Sequence, residues 1–205
     1  VKKGAKLRYS TIENWSKNMY NLNTKRALVE EGGTIEWISG SVTVEPGDVQ
    51  EITFSESGAA TDQYKMVWKQ SDDKLTIQFC KDSNVVGFGL HFGDGSKDLT
   101  VTVPRGWVCD SLELDTASTD LTVRDMIIRE VEIDSANGTA KFENCTISSL
   151  DVDTASGDVT FTGSLSELDF DAASASFTGV LENVPDRVKM DSMSGDLALT
   201  LPEDA

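Results

Sequence analysis

One short phrase is written five times in the second half of the chain, and its spacing limits what the chain can fold into. The copies are LELDTAS at 112–118, VEIDSAN at 131–137, LDVDTAS at 150–156, LDFDAAS at 168–174 and VKMDSMS at 188–194. Their shared aspartates, Asp115, Asp134, Asp153, Asp171 and Asp191, are separated by 19, 19, 18 and 20 residues. A fixed period of this length marks a solenoid, in which each repeat buries its apolar side only by stacking on its neighbours.

Apolar residues alternate within every copy, so their side chains share one face of a strand. A first set of pairs is Leu112/Leu114, Val131/Ile133, Leu150/Val152, Leu168/Phe170 and Val188/Met190. A second set is Leu121/Val123, Ala140/Phe142, Val159/Phe161, Phe177 alone, and Leu197/Leu199. A third, looser set is Ile127 or Ile128, Ile147, Leu165, Val180 or Leu181, and Leu201. Three apolar faces per copy and no helical period predict an all-β chain: a right-handed parallel β-helix, or β-solenoid, with rungs of about 19 residues.

The half before the repeats is also strand and turn, but less regular. Alternation predicts strands at 34–38 and 41–45 separated by Gly40, then at 49–55, 64–69, 75–80 and 99–103, with a further one at 7–12. The expected organisation is an N-terminal strand and turn segment over 1–33, then one solenoid domain over 34–205. Within that domain, 34–109 forms irregular rungs and 110–205 forms the five regular repeats.

Charge is divided unevenly between the halves. From Asp110 onward there are 21 acids and 5 bases, whereas residues 1–109 hold 14 acids and 13 bases, so nearly all of the formal −17 belongs to the repeats. Such a surface repels phosphate backbones, which argues against nucleic-acid binding. No apolar run approaches the roughly 20 residues of a membrane-spanning helix, so no membrane insertion is expected. Cys80, Cys109 and Cys145 lie 29 and 36 residues apart, which fits neither a zinc site nor a disulfide framework, and they read as small, partly buried apolar residues.

Stacked rungs lie about 4.8 Å apart, so the five aspartates form a ladder whose like charges need compensation. Each carboxylate could accept backbone N–H bonds from its own Thr/Ser-Ala-Ser turn. Alternatively, Asp115, Asp134, Asp153, Asp171 and Asp191 could line Ca²⁺ sites, helped by Glu113, Glu132, Asp151 and Asp169, although neither an EF-hand loop nor a calcium-binding nonapeptide is present. No other cofactor is implied. The glycines at 87, 89, 93 and 95 flank His91, the only histidine, but lack phosphate-loop spacing and read as a flexible loop.

Two resemblances accompany these features. The runs AKLRYSTIENWS at 5–16, YNLNTKRA at 20–27 and GTIEWI at 33–38 resemble a segment of SufB, a scaffold subunit of bacterial iron-sulfur cluster assembly, over about the first 40 residues. That family is built on a right-handed β-helix and uses ligands outside this segment, so no functional residue carries over. The run from Ile35 to Val44, the strand Leu99 to Pro104 and the SGDV of 156–159 resemble a bacterial candidate-adhesin domain of unknown function over about 34–205. The two meet at Trp37 to Ser41, which makes 1–33 an appendage to a domain beginning near Thr34.

A catalytic centre normally interrupts a repeat at one place, and these acids recur in every copy. The expectation is therefore a non-catalytic, adhesin-like binding or structural module of the bacterial cell envelope or another extracytoplasmic location. It would meet a protein or glycan surface of unknown identity. The alternatives are a cytoplasmic scaffold related to SufB-type cluster assembly, and a polysaccharide-active β-helix enzyme using paired carboxylates.

Overall fold

Pairing between copies, rather than within them, organises the chain. The computed structural model describes residues 24–27, 29, 31–58, 64–81 and 96–203. The expected strand at 7–12, most of the SufB-like opening and the glycine-rich loop with His91 lie outside the described residues. Every regular element described is a strand, with no α-helix, and none of the described residues forms a helix long and apolar enough to cross a membrane.

The strands are β1 (Lys25–Ala27), β2 (Gly32–Gly47), β3 (Ile52–Ser57), β4 (Val67–Ser71), β5 (Lys74–Gln78) and β6 (Lys97–Pro104), followed by β7 (Val108–Arg124) and β8 (Ile127–Asn137). The chain continues through β9 (Ala140–Ser156), β10 (Val159–Ser174), β11 (Phe177–Leu181), β12 (Arg187–Ser194) and β13 (Leu197–Thr200). They join into one large 13-stranded sheet.

Successive copies stack in parallel. Leu112 pairs with Val131, Val131 with Leu150, and Leu150 with Leu168, while Leu114, Ile133, Val152 and Phe170 form the neighbouring column. A second wall stacks Val42, Leu121, Ala140, Val159 and Phe177, beside Val44, Val123, Phe142 and Phe161. All of these side chains are buried. Cys109, Ile128, Ile147 and Leu165 make the third column. The third set thus resolves: Ile128 and Leu181 point inward, whereas Ile127, Val180 and Leu201 are exposed. Phe177 lacks an apolar neighbour two positions on because Gly179 stands there, where a Cβ would come within 2.9 Å of Leu199 and 3.2 Å of the Phe177 ring.

The step from 19 to 18 residues has a local cause. Phe142 pairs with Phe161, but the next pair is Cys145 with Gly163, so Asn144 is an extra residue in β9. Asn144 takes a left-handed φ of 56°, donates through its side chain to Asp125 and is held at its own N–H by the Thr162 hydroxyl. A β-bulge of this kind absorbs one residue without turning the following side chains to the wrong face.

The N-terminal half departs from a purely parallel coil. β2 pairs in parallel with β5, β6 and β7, but β1–β3, β3–β6 and β4–β5 are antiparallel, so the sheet is mixed. The short turn Ser71-Asp-Asp-Lys74, with Asp72 at φ 54°, permits only an antiparallel return, because parallel neighbours need a long crossover. Gly40, expected to separate two strands, is instead an interior residue of the 16-residue β2.

Candidate functional site

The outward face opposite these columns carries the acids, in register. Glu36 pairs with Asp115, Asp115 with Asp134, Asp134 with Asp153, Asp153 with Asp171 and Asp171 with Asp191. The five predicted aspartates are therefore brought into one line, and Glu36 extends it by a rung. A second line two residues back on the same strands runs Thr34, Glu113, Glu132, Asp151, Asp169 and Lys189.

An open groove of about 1340 Å³ follows the first line. Its floor repeats the phrase itself: the aspartates, then Thr116, Ser135, Thr154, Ala172 and Ser192, then Ala117, Ala136, Ala155, Ala173 and Met193. Trp37, Ile38, Gln78, Phe79 and Cys80 close one end.

The groove's hydroxyls, more than its carboxylates, tie down the local backbone. Ser135, Thr154 and Ser192 each donate to the carbonyl two residues ahead, and Thr116 donates to Ser135 across the rungs at 2.9 Å. Backbone N–H groups are capped by other acids: Asp120 accepts from Thr139 at 3.0 Å and Asp158 from Ser176 at 2.9 Å. One oxygen of Asp171, Oδ1, is shielded from solvent without a hydrogen-bond partner.

Compensation of the acidic face is concentrated at its two ends. At the first rung Gln78 donates to Glu36 at 2.8 Å, Thr34 donates to Glu113 at 2.7 Å, and Lys74 lies 4.0 Å from Glu113. At the last rung Lys189 reaches Asp169 at 2.9 Å, Asp171 at 3.5 Å and Asp191 at 3.8 Å, and Arg187 reaches Asp169 at 3.5 Å. Between them Glu132, Asp134 and Asp153 have no ion-pair partner among the described residues, and Asp151 feels only the more distant charge of Lys189.

The titration behaviour follows this layout. Desolvation, then the charges of Asp134, Glu36 and Glu113, raise the Asp115 pKa. Desolvation and the neighbouring acids likewise raise Glu132, chiefly through Asp134, and Asp151, chiefly through Asp169. A carboxylate whose pKa is raised on folding binds more protons folded than unfolded in the window above its ordinary value, here 3.8 for Asp and 4.5 for Glu. Stability therefore rises as the pH falls into that window. Glu143, lowered by Lys141 and Arg124, acts oppositely, but its loss begins only near its ordinary 4.5. The melting temperature is expected to increase from pH 7 to about pH 5, and the increase to shrink in about 1 M salt, which screens the ladder. A melting temperature that falls steadily over this range contradicts the ladder's electrostatics.

Calcium needs six to eight oxygens gathered around one point. The two lines put two carboxylates on a rung, Glu113 with Asp115, Glu132 with Asp134, Asp151 with Asp153 and Asp169 with Asp171, and among the described residues no three His, Cys, Asp or Glu side chains form a group that could hold a metal ion.

At the closed end of the groove stands a group that the repeat pattern does not announce. Lys97 is buried, 1% exposed, with its ammonium donating to Glu56 at 2.6 Å, to the Tyr64 carbonyl at 2.8 Å and to the Phe79 carbonyl. The same nitrogen lies 3.9 Å from the centroid of Phe79 and 4.7 Å from that of Trp37, and the Trp37 indole donates to the Lys97 carbonyl. Burial pushes the Lys97 pKa down, against the pull of Glu56. The three cysteines are free and buried; burial pushes Cys109 up to about 12 and also raises Cys145. Sequence reasoning missed Glu36 and Lys97. The signal for Glu36 was available, since the TIEW of 34–37 repeats the alternation of LELD in 112–115.

Comparison with known proteins adds three findings. Among solved structures, a candidate cell adhesion protein from Clostridium sporogenes superposes with a TM-score of 0.50 at 8% identity, covering 87% of this chain and 98% of that one. This shows a shared fold. An iron-sulfur cluster assembly SufBD family protein of Staphylococcus saprophyticus is 33% identical over 144 residues, and its Staphylococcus aureus counterpart 32% over the same length. Each match covers 60% of this chain, so the SufB resemblance reaches well beyond the opening 40 residues, while the chain spans only 30% of those relatives. The Toastrack DUF4097 family model matches residues 34–205, with the repeats, their acidic ladder and the groove all inside the match, and the chain belongs to that family.

Proposed function

We propose that the chain is a non-catalytic, adhesin-like binding module of the bacterial cell envelope. In this reading it folds as a right-handed parallel β-helix with rungs of about 19 residues, and an extended, cationic partner lies along the acidic groove. The right hand follows from the strong preference of parallel crossovers for that sense. The observation that carries the function is the uncompensated centre: the groove is continuous, yet among the described residues neither Asp134 nor Asp153 is paired with a cation, since Arg129 and Lys141 of the same strands are turned to Asp110 and Glu143. Both ends of the same face are partnered from within the chain, by Gln78, Thr34 and Lys74 at one and by Arg187 and Lys189 at the other. A partner supplying ammonium or guanidinium groups completes the middle, while the small floor residues let an extended backbone approach. The name of the Clostridium sporogenes neighbour supports an adhesive role, and the recurrence of the same acids in every copy supports a role without catalysis.

The experiment measures binding of the chain to immobilised oligolysine and to an array of neutral and amino-substituted glycans. Cationic ligands are expected to bind, with a dissociation constant that rises by about tenfold in the Asp134→Asn/Asp153→Asn double variant, as for the loss of two facing charges. Binding of neutral glycans only, or no response to the double variant, overturns the reading.

A second reading rests on the SufBD-type relatives: a cytoplasmic scaffold in iron-sulfur cluster assembly. Buried thiols held well above neutral pKa are poor cluster ligands, because the thiolate is the ligand. Anaerobic reconstitution with iron and sulfide separates the two, since a stable brown product favours the scaffold.

A further inference from the structure

We infer that the partner of the acidic groove is a peptide segment in the polyproline II conformation with arginine or lysine at every third position. This rests on the reading of the groove as a site for an extended cationic partner, and adds the partner's conformation and spacing. The chain itself shows how many rungs one cation serves. On the second wall Arg124 of β7 reaches Glu143 of β9 at 2.5 Å and Glu45 of β2 at 3.4 Å, and these two strands flank β7. On the groove face Lys189 of β12 reaches Asp191 of its own strand at 3.8 Å and Asp171 of β10, one rung back, at 3.5 Å. A single cation thus holds carboxylates of two or more rungs. Asp134 and Asp153, both without an ion-pair partner among the described residues, stand on the adjacent strands β8 and β9, so one guanidinium between them serves both. Lys189 lies two rungs further on, between Asp171 and Asp191, and the pair Glu36 and Asp115 lies two rungs back. The partner therefore sets two cations about 9.6 Å apart, at about 4.8 Å per rung, and Lys189 is the third of the same series.

Among regular backbones, polyproline II delivers that spacing. It has three residues per turn and rises about 3.1 Å per residue, so every third side chain returns to the same face after about 9.3 Å, within about 0.3 Å of two rungs. A β-strand returns to the same face after about 6.6–6.8 Å, which falls between one rung and two. An α-helix returns after about 5.4 Å and has drifted by about 1.2 Å after two rungs. The floor suits the same occupant. Ser135 and Thr154 give their hydroxyl hydrogens to the carbonyls of Asn137 and Ser156, so their oxygens, like the carboxylates beside them, can only accept. Guanidinium groups supply donors in a planar fork. Ala136 and Ala155 keep the floor low, and a backbone without internal hydrogen bonds has its own polar groups free to approach it.

The test is binding of fluorescently labelled peptides to the full chain at low ionic strength, read by anisotropy. One peptide carries Arg-Pro-Pro-Arg between flanking prolines, a second is its isomer with the two arginines adjacent, and a third replaces every proline by glycine. The first is expected to bind about fivefold or more tightly than either control, because its spacing matches the rungs and its backbone is ordered beforehand. Lengthening it by one Pro-Pro-Arg unit is expected to add nothing with the parent chain, where Lys189 already serves Asp171 and Asp191, and to tighten binding about fivefold with Lys189→Gln. That gain reads the register directly and does not arise from a change in folding. Equal binding of the first two peptides, both weakened by Asp134→Asn/Asp153→Asn, overturns this inference and leaves the cationic reading of the groove standing. A glycine form that binds as tightly as the proline form overturns it too, and no binding by any of the three overturns both.

Discussion

Gly157→Ala is expected to lower the melting temperature by about 10 °C, a loss on the order of 3–5 kcal/mol in a chain of this size. Gly157 holds φ at 130°, and a Cβ placed there would stand 1.6 Å from the carbonyl oxygen of Gly138 on the rung below. That oxygen belongs to backbone and has nowhere to go. Gly138 is itself at φ 120° with its own Cβ position 2.0 Å from the Thr119 carbonyl, and Gly195 repeats the arrangement against Ala175. These glycines form a corner where successive rungs approach more closely than any side chain permits. Adding a methyl therefore both strains a conformation reserved for glycine and pries two rungs apart, with loss of ladder hydrogen bonds. Gly106→Ala is the control. Gly106 is also left-handed, at φ 75°, but nothing lies within 4 Å of its Cβ position, so the cost is about 1 kcal/mol. Equal losses from the two variants, measured by thermal melts, would refute the close-approach account.

Lys97→Met is expected to be about as damaging, at 3–5 kcal/mol. The methionine fits the aromatic surroundings of Trp37 and Phe79, so volume is not the issue. The Glu56 carboxylate is, since its side chain is only 9% exposed and would keep one partner, the Met66 N–H. Removing half of a buried ion pair leaves the other charge without repayment for its desolvation. The carbonyls of Tyr64 and Phe79 also lose their donor. Adding Glu56→Gln to Lys97→Met removes the stranded charge and is expected to recover roughly half of the loss. Melting temperatures of both variants test this. A single variant as stable as the parent, or a double variant that gains nothing, excludes the pair as a stabilising clamp.

These two positions also show where sequence reading succeeds and where it stops. The alternation in 112–201 identified nearly every inward residue of β7 to β10, because period two and a constant offset are properties of the sequence itself. The five aspartates were correctly expected to fall in one line, since equal spacing and parallel stacking allow nothing else. Lys97 could not be found this way. A lysine ending a charged loop reads as solvated, and only the convergence of Glu56, Tyr64 and Phe79 from three separate segments reveals that it is enclosed. Gly40 misled for a related reason. Glycine inside an alternating run reads as a break, yet here its φ of 111° lets β2 pass 1.9 Å, measured from its would-be Cβ, from the Lys97 carbonyl without leaving the sheet. The antiparallel strands β3 and β4 were legible as strands but not in direction, which depends on loop lengths and on partners distant in sequence.

The groove described above is also a ruler. The copies from β7 to β9 present the same aspartate, hydroxyl and alanine, each one step of about 4.8 Å from the last, and β10 keeps the aspartate and alanine without the hydroxyl. A ligand whose own repeat is commensurate with that step recovers its contacts after shifting by a single rung. Binding then gains a statistical multiplicity, and movement along the groove costs less than departure from it. The two ends set the limits of this travel, because Gln78 and Thr34 already hydrogen-bond the acids at one and Lys189 already pairs with those at the other.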